Sequence, residues 1–243
     1  LQFDDKSGEV VGGLEFNVDL VPEPEVYKFY FPQFATGSGF TTRIVLINPG
    51  EEDFKGTLRL RDDDGKPLKT KINGRVVGGE TSVEVPALGR RELRSDAGGE
   101  LQVGSVSLAS DGPLSGVVIY GSDRTGYTGV SASAALENGF STSVEQKADS
   151  EVRTGIAIMN LEDASAALDL QLFDKDGLEV SQARLEIVAR GHVARFLDEF
   201  GWSNGIGLSD FEGVLVATAS ARTAAIALLS TKDRLTVIPV VPR

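Results

Sequence analysis

The sequence predicts an all-β protein, built as two tandem antiparallel β-sandwich domains from an internal duplication, with an extra N-terminal strand. Three observations support this fold class. Apolar and polar residues alternate over many short segments, which is typical of strands with one solvated face. Matching patterns occur twice along the 243 residues. Helical periodicity is almost absent, and residues 194–200 are the best candidate for a short helix.

The extra strand is predicted at residues 14–20, LEFNVDL, where apolar and polar residues alternate without a break. Two prolines follow in residues 21–26, and such segments are extended and fairly stiff. A strand held away from its own domain can add to the sheet of a neighbouring molecule. The candidate assembly residues are Leu14, Phe16, Val18 and Leu20. Pairing of this strand within its own chain is the alternative.

The duplication is visible as two series of matching segments. Residues 42–48, TRIVLIN, match residues 154–160, TGIAIMN, at a shift of 112 residues. The shift falls to 102 where VEV at 83–85 aligns with LEI at 185–187, so the first copy carries about ten extra residues, placed near 71–80. We therefore predict an N-terminal strand and spacer at 1–26, and β-sandwich domains at 27–136 and 137–243.

One segment resembles a known group of modules. Residues 30–49, YFPQFATGSGFTTRIVLINP, are similar to the start of tandem β-sandwich, immunoglobulin-like modules in uncharacterised secreted bacterial proteins. The LxLxDxDG pattern at residues 58–65 is also similar to theirs. The resemblance runs from about residue 27 onward and implies an extracellular or cell-surface accessory without known chemistry.

Composition disfavours several classes of partner. The 24 basic and 36 acidic side chains give a formal charge of −12. Nucleic acids and anionic membranes are therefore not expected as partners, because binding them requires a basic surface. No apolar segment approaches the roughly 18 residues that a membrane-spanning helix needs. The absence of cysteine excludes disulfides and thiolate metal sites.

Two acidic turns are weak candidates for calcium binding. Residues 62–65, DDDG, and 174–177, DKDG, place carboxylates close together, as part of a calcium loop does. Such a loop needs a bidentate Glu at its twelfth position, where this chain has Asn73 or Leu185. Turn geometry is therefore the favoured interpretation, and no cofactor is expected. The calcium candidates are Asp62, Asp64, Asp174 and Asp176.

Catalytic residues are not predicted. The only histidine is His192, and Ser203 lies in a Gly-x-Ser-x-Gly string. A nucleophile elbow has a strand before its serine, a helix after it and the histidine later in the chain. Here both the candidate helix and His192 precede Ser203, so we predict that the protein is not an enzyme.

A loop with aromatic residues is a candidate ligand site. Phe200, Trp202 and Phe211 lie among Gly, Ser and Asn residues, and such rings can contact a sugar or another protein. Packing of these rings in the core or between domains is the favoured alternative.

Together these features predict a non-catalytic structural or adhesive protein, exported to the cell surface or beyond. We expect an extracellular fibre subunit that assembles by β-strand addition, either with itself or with another surface protein. The alternative is a carbohydrate- or protein-binding accessory module of a cell-surface system.

Overall fold

The computed structural model confirms an all-β fold with sandwich-like antiparallel sheets. It describes residues 2–4, 10–13, 26–124, 126–204, 208–232 and 234–243. Near the N-terminus, β1 (Gln2–Asp4) pairs antiparallel with β2 (Val10–Gly13). The predicted assembly residues Leu14, Phe16, Val18 and Leu20 lie outside the described residues.

The N-terminal half, residues 26–136, contains two four-stranded sheets and a separate hairpin. Its strands are β3 (Tyr27–Thr36), β4 (Thr41–Ile47), β5 (Phe54–Arg61), β6 (Lys69–Ile72), β7 (Arg75–Gly78), β8 (Glu80–Val85), β9 (Arg90–Arg94), β10 (Gln102–Ser110), β11 (Ser115–Ser122) and β12 (Gly126–Ser131). The order is β3-β10-β5-β8 in one sheet and β12-β11-β4-β9 in the other. The β6–β7 hairpin lies where the ten extra residues of the first copy were predicted.

The C-terminal half, residues 137–243, repeats this arrangement. Its strands are β13 (Gly139–Lys147), β14 (Val152–Asn160), β15 (Ala166–Asp174), β16 (Glu179–Ile187), β17 (His192–Phe196), β18 (Asp210–Ala219), β19 (Thr223–Thr231), β20 (Arg234–Ile238) and β21 (Val240–Pro242). The rows β13-β18-β15-β16 and β20-β19-β14-β17 have the same strand order as the two sheets of the N-terminal half. A short pairing of β13 with β14 joins the two rows, and β21 adds to β13.

Each half has its apolar core between its two rows of strands. In the N-terminal half, Leu58 and Leu108 of one sheet belong to the same buried cluster as Ile44 and Val118 of the other. In the C-terminal half every second residue in the first part of β15 is fully buried, as the alternating sequence predicts. The period-2 pattern therefore places one face of each such strand in a core.

The two halves also pack against each other. Ala157 and Ile226 of the C-terminal half are buried in the apolar cluster of the N-terminal half. The backbones of Leu136 and Thr223 exchange two hydrogen bonds, of 2.8 and 3.0 Å. Apolar contact thus continues across the junction between the two halves. The domain boundary predicted between residues 136 and 137 therefore stays a prediction.

The prediction of a short helix at residues 194–200 is wrong. β17 extends to Phe196, and a single 3-10 turn follows at Leu197–Glu199. The backbone groups of residues 192–196 pair with β14, so tertiary hydrogen bonding decides their conformation. Within the described ranges, no helix is long and apolar enough to cross a bilayer.

Candidate functional site

The acidic turns are closed by their own backbone. The Asp62 carboxylate accepts a hydrogen bond from the N–H of Lys66 at 2.8 Å. The Asp174 carboxylate accepts hydrogen bonds from the N–H groups of Asp176 and Leu178, both at 2.9 Å. These contacts are the side-chain-to-backbone bonds by which Asp stabilises turns.

The Asp that directly precedes the glycine of each turn pairs with a lysine. Asp64 lies 2.9 Å from the ammonium of Lys66, and Asp176 lies 2.7 Å from that of Lys175. Among the described residues, no group of three or more His, Asp or Glu side chains is arranged to hold a metal ion. The calcium candidates are thus placed in two separate exposed turns, and each is occupied by contacts with its own turn.

His192 and Ser203 have different hydrogen-bond partners. His192 contacts Asp63, whereas the Ser203 hydroxyl lies 3.4 Å from both the backbone N–H of Gln182 and the side-chain oxygen of Asn204. The structure therefore does not bring the two residues together as a nucleophile and its base.

The three aromatic residues of the candidate ligand loop lie at the core of the C-terminal half. Phe200 and Phe211 are buried in its apolar cluster, and the half-buried Trp202 packs against that cluster. The ring centroids of Phe200 and Trp202 are 6.1 Å apart. The indole N–H of Trp202 donates to the carbonyl oxygen of Leu197 at 2.7 Å. These contacts give the rings a packing role, and ligand binding by them stays a prediction.

The acidic turn of the N-terminal half has a second role, which was not predicted from the sequence. Residues 62–65, here named the docked turn, contact residues 188–191 of the C-terminal half, the receiving turn. A β-carbon at Gly65 would overlap the carbonyl oxygen of Ala189, and one at Gly191 would lie 2.8 Å from the carbonyl oxygen of Asp63. The repeat-equivalent Gly177 would meet nothing within 4 Å. Only the first of the two acidic turns is therefore docked.

Asp63 and His192 hold the docked turn in place. Asp63 Oδ1 lies 2.8 Å from His192 Nδ1, and the backbone N–H of His192 donates to the Asp63 carbonyl oxygen at 3.2 Å. The distance fits a hydrogen bond between Nδ1 of the ring and the Asp63 carboxylate. The His192 side chain is 0% exposed, whereas that of Asp63 is 57% exposed. The solvated carboxylate thus gives Nδ1 of the buried ring a polar partner, whereas Nε2 is buried without a hydrogen-bond partner among the described residues.

A signal for this contact was present in the repeat. At the shift of 112, Asp63 aligns with Lys175, and at the shift of 102, His192 aligns with Arg90. At both positions, therefore, the residue differs in charge from its counterpart in the other copy. In a duplicated chain, positions where the copies differ in charge are candidates for contacts between the copies.

A cleft of about 310 Å³ lies beside the docked turn, between the two halves. We name it the junction cleft. One wall is the outer face of β3, β5 and β10, and the other is formed by the end of β14, the receiving turn and Arg222. Its long polar side chains are Lys28, Tyr30, Arg59, Arg61, Arg190 and Arg222.

Arginines of the junction cleft are anchored by carboxylates and carbonyl groups. Arg190 makes a two-pronged contact with Asp163, at 2.7 and 2.9 Å, and also donates to the carbonyl of Leu161. Hydrogen bonds from Arg190 lower the pKa of the Asp163 carboxyl. Arg222 pairs with Glu162 at 2.5 Å. Both guanidinium groups are thus held in defined positions by neighbouring loop residues.

Arg59 and Arg61 extend from β5 on the opposite wall. Arg59 pairs with Glu80 at 2.9 Å, and Arg61 donates to the carbonyl oxygen of Gly65 at 2.6 Å. The contact of Arg61 with the docked turn links the cleft to the junction between the halves.

Tyr30 stands between the two walls. Its ring packs against a small cluster formed by Met159, Leu161 and Ala224 of the C-terminal half. Burial raises the pKa of the Tyr30 hydroxyl, and the nearby positive charges of Arg222 and Arg190 offset part of the rise. The hydroxyl therefore remains protonated and can donate a hydrogen bond at neutral pH.

Comparisons with known proteins leave the chain without a family. No protein-family profile matches it, and no curated protein sequence is significantly similar to it. Among solved structures, an anti-sigma factor domain-containing protein matches at 8% identity and a TM-score of 0.16, over 89% of this chain and 98% of the other. These values carry no argument about fold or function.

Two glycoside hydrolases also match weakly. A glycosyl hydrolase family 2 member from Bacteroides cellulosilyticus DSM 14838 matches at 11% identity and a TM-score of 0.19, over 89% of this chain. A beta-glucuronidase of glycoside hydrolase family 2 matches at 8% identity and a TM-score of 0.16, over 88% of this chain. The chain spans 28% and 23% of these two enzymes.

Proposed function

We propose that the chain is a non-catalytic structural or adhesive module, exported to the cell surface or the extracellular medium. The observation that carries this proposal is the junction between the halves. Ala157 and Ile226 share an apolar cluster with the N-terminal half, and the docked turn locks onto the receiving turn through Asp63 and His192. Two sandwiches fastened in this way form one stiff unit, which suits a load-bearing or spacing role.

Assembly is proposed to occur by strand addition through residues 14–20. The support is the unbroken alternation of this segment, whose apolar residues would fill a groove in a neighbouring sandwich while its backbone pairs with an edge strand. The partner is a second copy of this chain or another surface protein.

The test compares two adjacent single substitutions. Phe16→Asp and Asn17→Asp each add one negative charge, but successive residues of a strand point to opposite faces. We expect light scattering and negative-stain microscopy to show assembly of the unmodified chain and of Asn17→Asp, and its loss in Phe16→Asp and on removal of residues 1–25. A chain that stays monomeric at every concentration, or equal assembly in all variants, would overturn self-assembly through this strand.

The second candidate is a glycan- or protein-binding accessory module that uses the loop around Trp202. It is favoured by the partial exposure of Trp202 beside the exposed residues Ser203 and Asn204. Binding on a glycan array should be lost in Trp202→Ala and largely kept in Trp202→Phe, which retains an aromatic face. Equal binding by both variants would exclude the loop as the glycan site.

A further inference from the structure

The junction cleft has the position and size of a ligand site. Clefts between domains are preferred places for small-molecule binding, and about 310 Å³ lies at the lower end of the usual range. The space exists because the central strand carries a short side chain there. Ser107 of β10 is paired with Tyr30 on one side and with Arg59 on the other, and both neighbours are much longer.

The charge of the junction cleft is opposite to that of the protein. Five cationic side chains line it, together with a single carboxylate, Asp163, in a chain with a formal charge of −12. Three of these cations have carboxylate partners: Arg59 with Glu80, Arg190 with Asp163, and Arg222 with Glu162. Within the described part of the chain, no carboxylate lies within ion-pair distance of Lys28 or Arg61.

Two donors of the cleft remain unused. Among the residues that the structure describes, neither the Lys28 ammonium nor the Tyr30 hydroxyl has a hydrogen-bond or ion-pair partner. A concave site with surplus positive charge and low-dielectric walls focuses its field and attracts anions. Arg and Lys side chains with a hydroxyl donor are the groups that proteins use to bind oxyanions.

We propose that the junction cleft binds one oxyanionic group, a phosphate, sulfate or carboxylate, either as a free anion or on a ligand no larger than one sugar ring. Lys28 and Arg61, which have no ion-pair partner among the described residues, supply positive charge, and the Tyr30 hydroxyl supplies a neutral donor. Because both halves contribute to the walls, the bound anion also joins them. Its binding should therefore stabilise the junction as well as the N-terminal half.

The test is titration of the full chain with sodium sulfate, inorganic phosphate and glucuronate, by calorimetry and thermal unfolding. Sodium chloride at equal ionic strength is the reference, because it screens charges without supplying an oxyanion. We expect at least one of the three anions to bind and to raise the melting temperature above that in chloride. If glucuronate binds more tightly than sulfate and phosphate, the ligand carries a ring. If it binds equally or more weakly, the ligand is a free anion.

Two lysine variants separate a site from general surface charge. Lys28→Met removes a charge in the cleft, and Lys55→Met removes one from the same sheet outside it. We expect Lys28→Met to lower the affinity by about tenfold, because a charge-assisted hydrogen bond typically contributes about that factor. Lys55→Met should change the affinity less than about twofold. Equal losses in the two variants, or no stabilisation beyond chloride by any of the anions, would overturn the proposal.

Discussion

Asn48 and Asn160 occupy the same place in the two halves and share three contacts, to which Asn160 adds a hydrogen bond to the carbonyl of Val188 at 3.0 Å. Asn48 donates to two backbone carbonyls, of Glu52 and Val85, at 2.7 and 3.1 Å. Asn160 donates to those of Ala164 and Ile187, at 2.7 and 3.2 Å. In each half the side-chain oxygen accepts a further backbone N–H two residues on. One buried amide thus satisfies several backbone groups at the end of a central strand.

The first prediction concerns these two amides. Asn48→Ala and Asn160→Ala should each lower the free energy of unfolding by about 2–4 kcal/mol, because buried carbonyls lose their donors. The exposed Asn138→Ala is the control and should stay within about 0.5 kcal/mol of the unmodified chain. Urea unfolding measures all three. Loss of stability in only one of the two buried variants would contradict an equivalent role for them.

The second prediction concerns Asp63. Asp63→Ala leaves the buried His192 ring without its partner, so we expect a loss of about 1–3 kcal/mol in unfolding free energy. Asp64→Ala is the matched control, because among the described residues its carboxylate pairs only with Lys66 at the surface, and it should have little effect. Similar values for the two variants would mean that the contact of Asp63 with His192 adds no stability.

Among the structural elements, the two acidic turns differ most in their surroundings. Both follow a strand that alternates Leu with polar residues, and both end in a glycine with positive φ, +75° at Gly65 and +81° at Gly177. Alanine in this left-handed region costs about 1–2 kcal/mol by itself. Substitution of alanine for either glycine carries this same local cost. Any further difference in unfolding free energy between the two variants therefore measures the contact of the docked turn with the receiving turn.

The third prediction follows from this comparison. Gly177→Ala should lower the unfolding free energy by about 1–2 kcal/mol. Gly65→Ala should cost at least about 1 kcal/mol more, because its β-carbon overlaps the Ala189 carbonyl and the turn has to withdraw. Chemical denaturation of the two variants under identical conditions provides the values. Equal costs would show that the turn is not docked in solution.

At the scale of the whole molecule, aromatic residues allow each half to be followed separately. Trp202, the only tryptophan, lies in the C-terminal half. All four tyrosines lie in the N-terminal half, at positions 27, 30, 120 and 127. Tryptophan fluorescence and tyrosine absorbance therefore report the unfolding of different halves.

The fourth prediction concerns the coupling of the halves. In the unmodified chain we expect the tryptophan and tyrosine transitions to coincide, because Ile226 and Ala157 complete the apolar cluster of the other half. Ile226→Asp places a charge in that contact and should separate the two transitions. Val241→Asp, at a position that is 55% exposed, is the control and should leave them together. Coincident transitions in Ile226→Asp would mean that the apolar contact does not couple the halves.

The sequence by itself determined the strands, the repeat and the turns. Alternation of apolar and polar residues specifies which face of a strand is buried, and the Asp-Gly turns are closed by contacts between residues close in the chain. The matching segments predicted the duplication, and the two halves have the same strand order. The segment at 194–200 was misjudged because pairing with β14 outweighs a short helical pattern.

Only the tertiary structure decided which acidic turn docks, what His192 contacts and where positive charge collects. Asp63 and His192 are 129 residues apart, and the junction cleft joins side chains from β3 and β5 with side chains from beyond β14. Such contacts depend on how two similar sandwiches are placed against each other. That placement depends on complementary surfaces rather than on local periodicity, so no pattern within either copy specifies it.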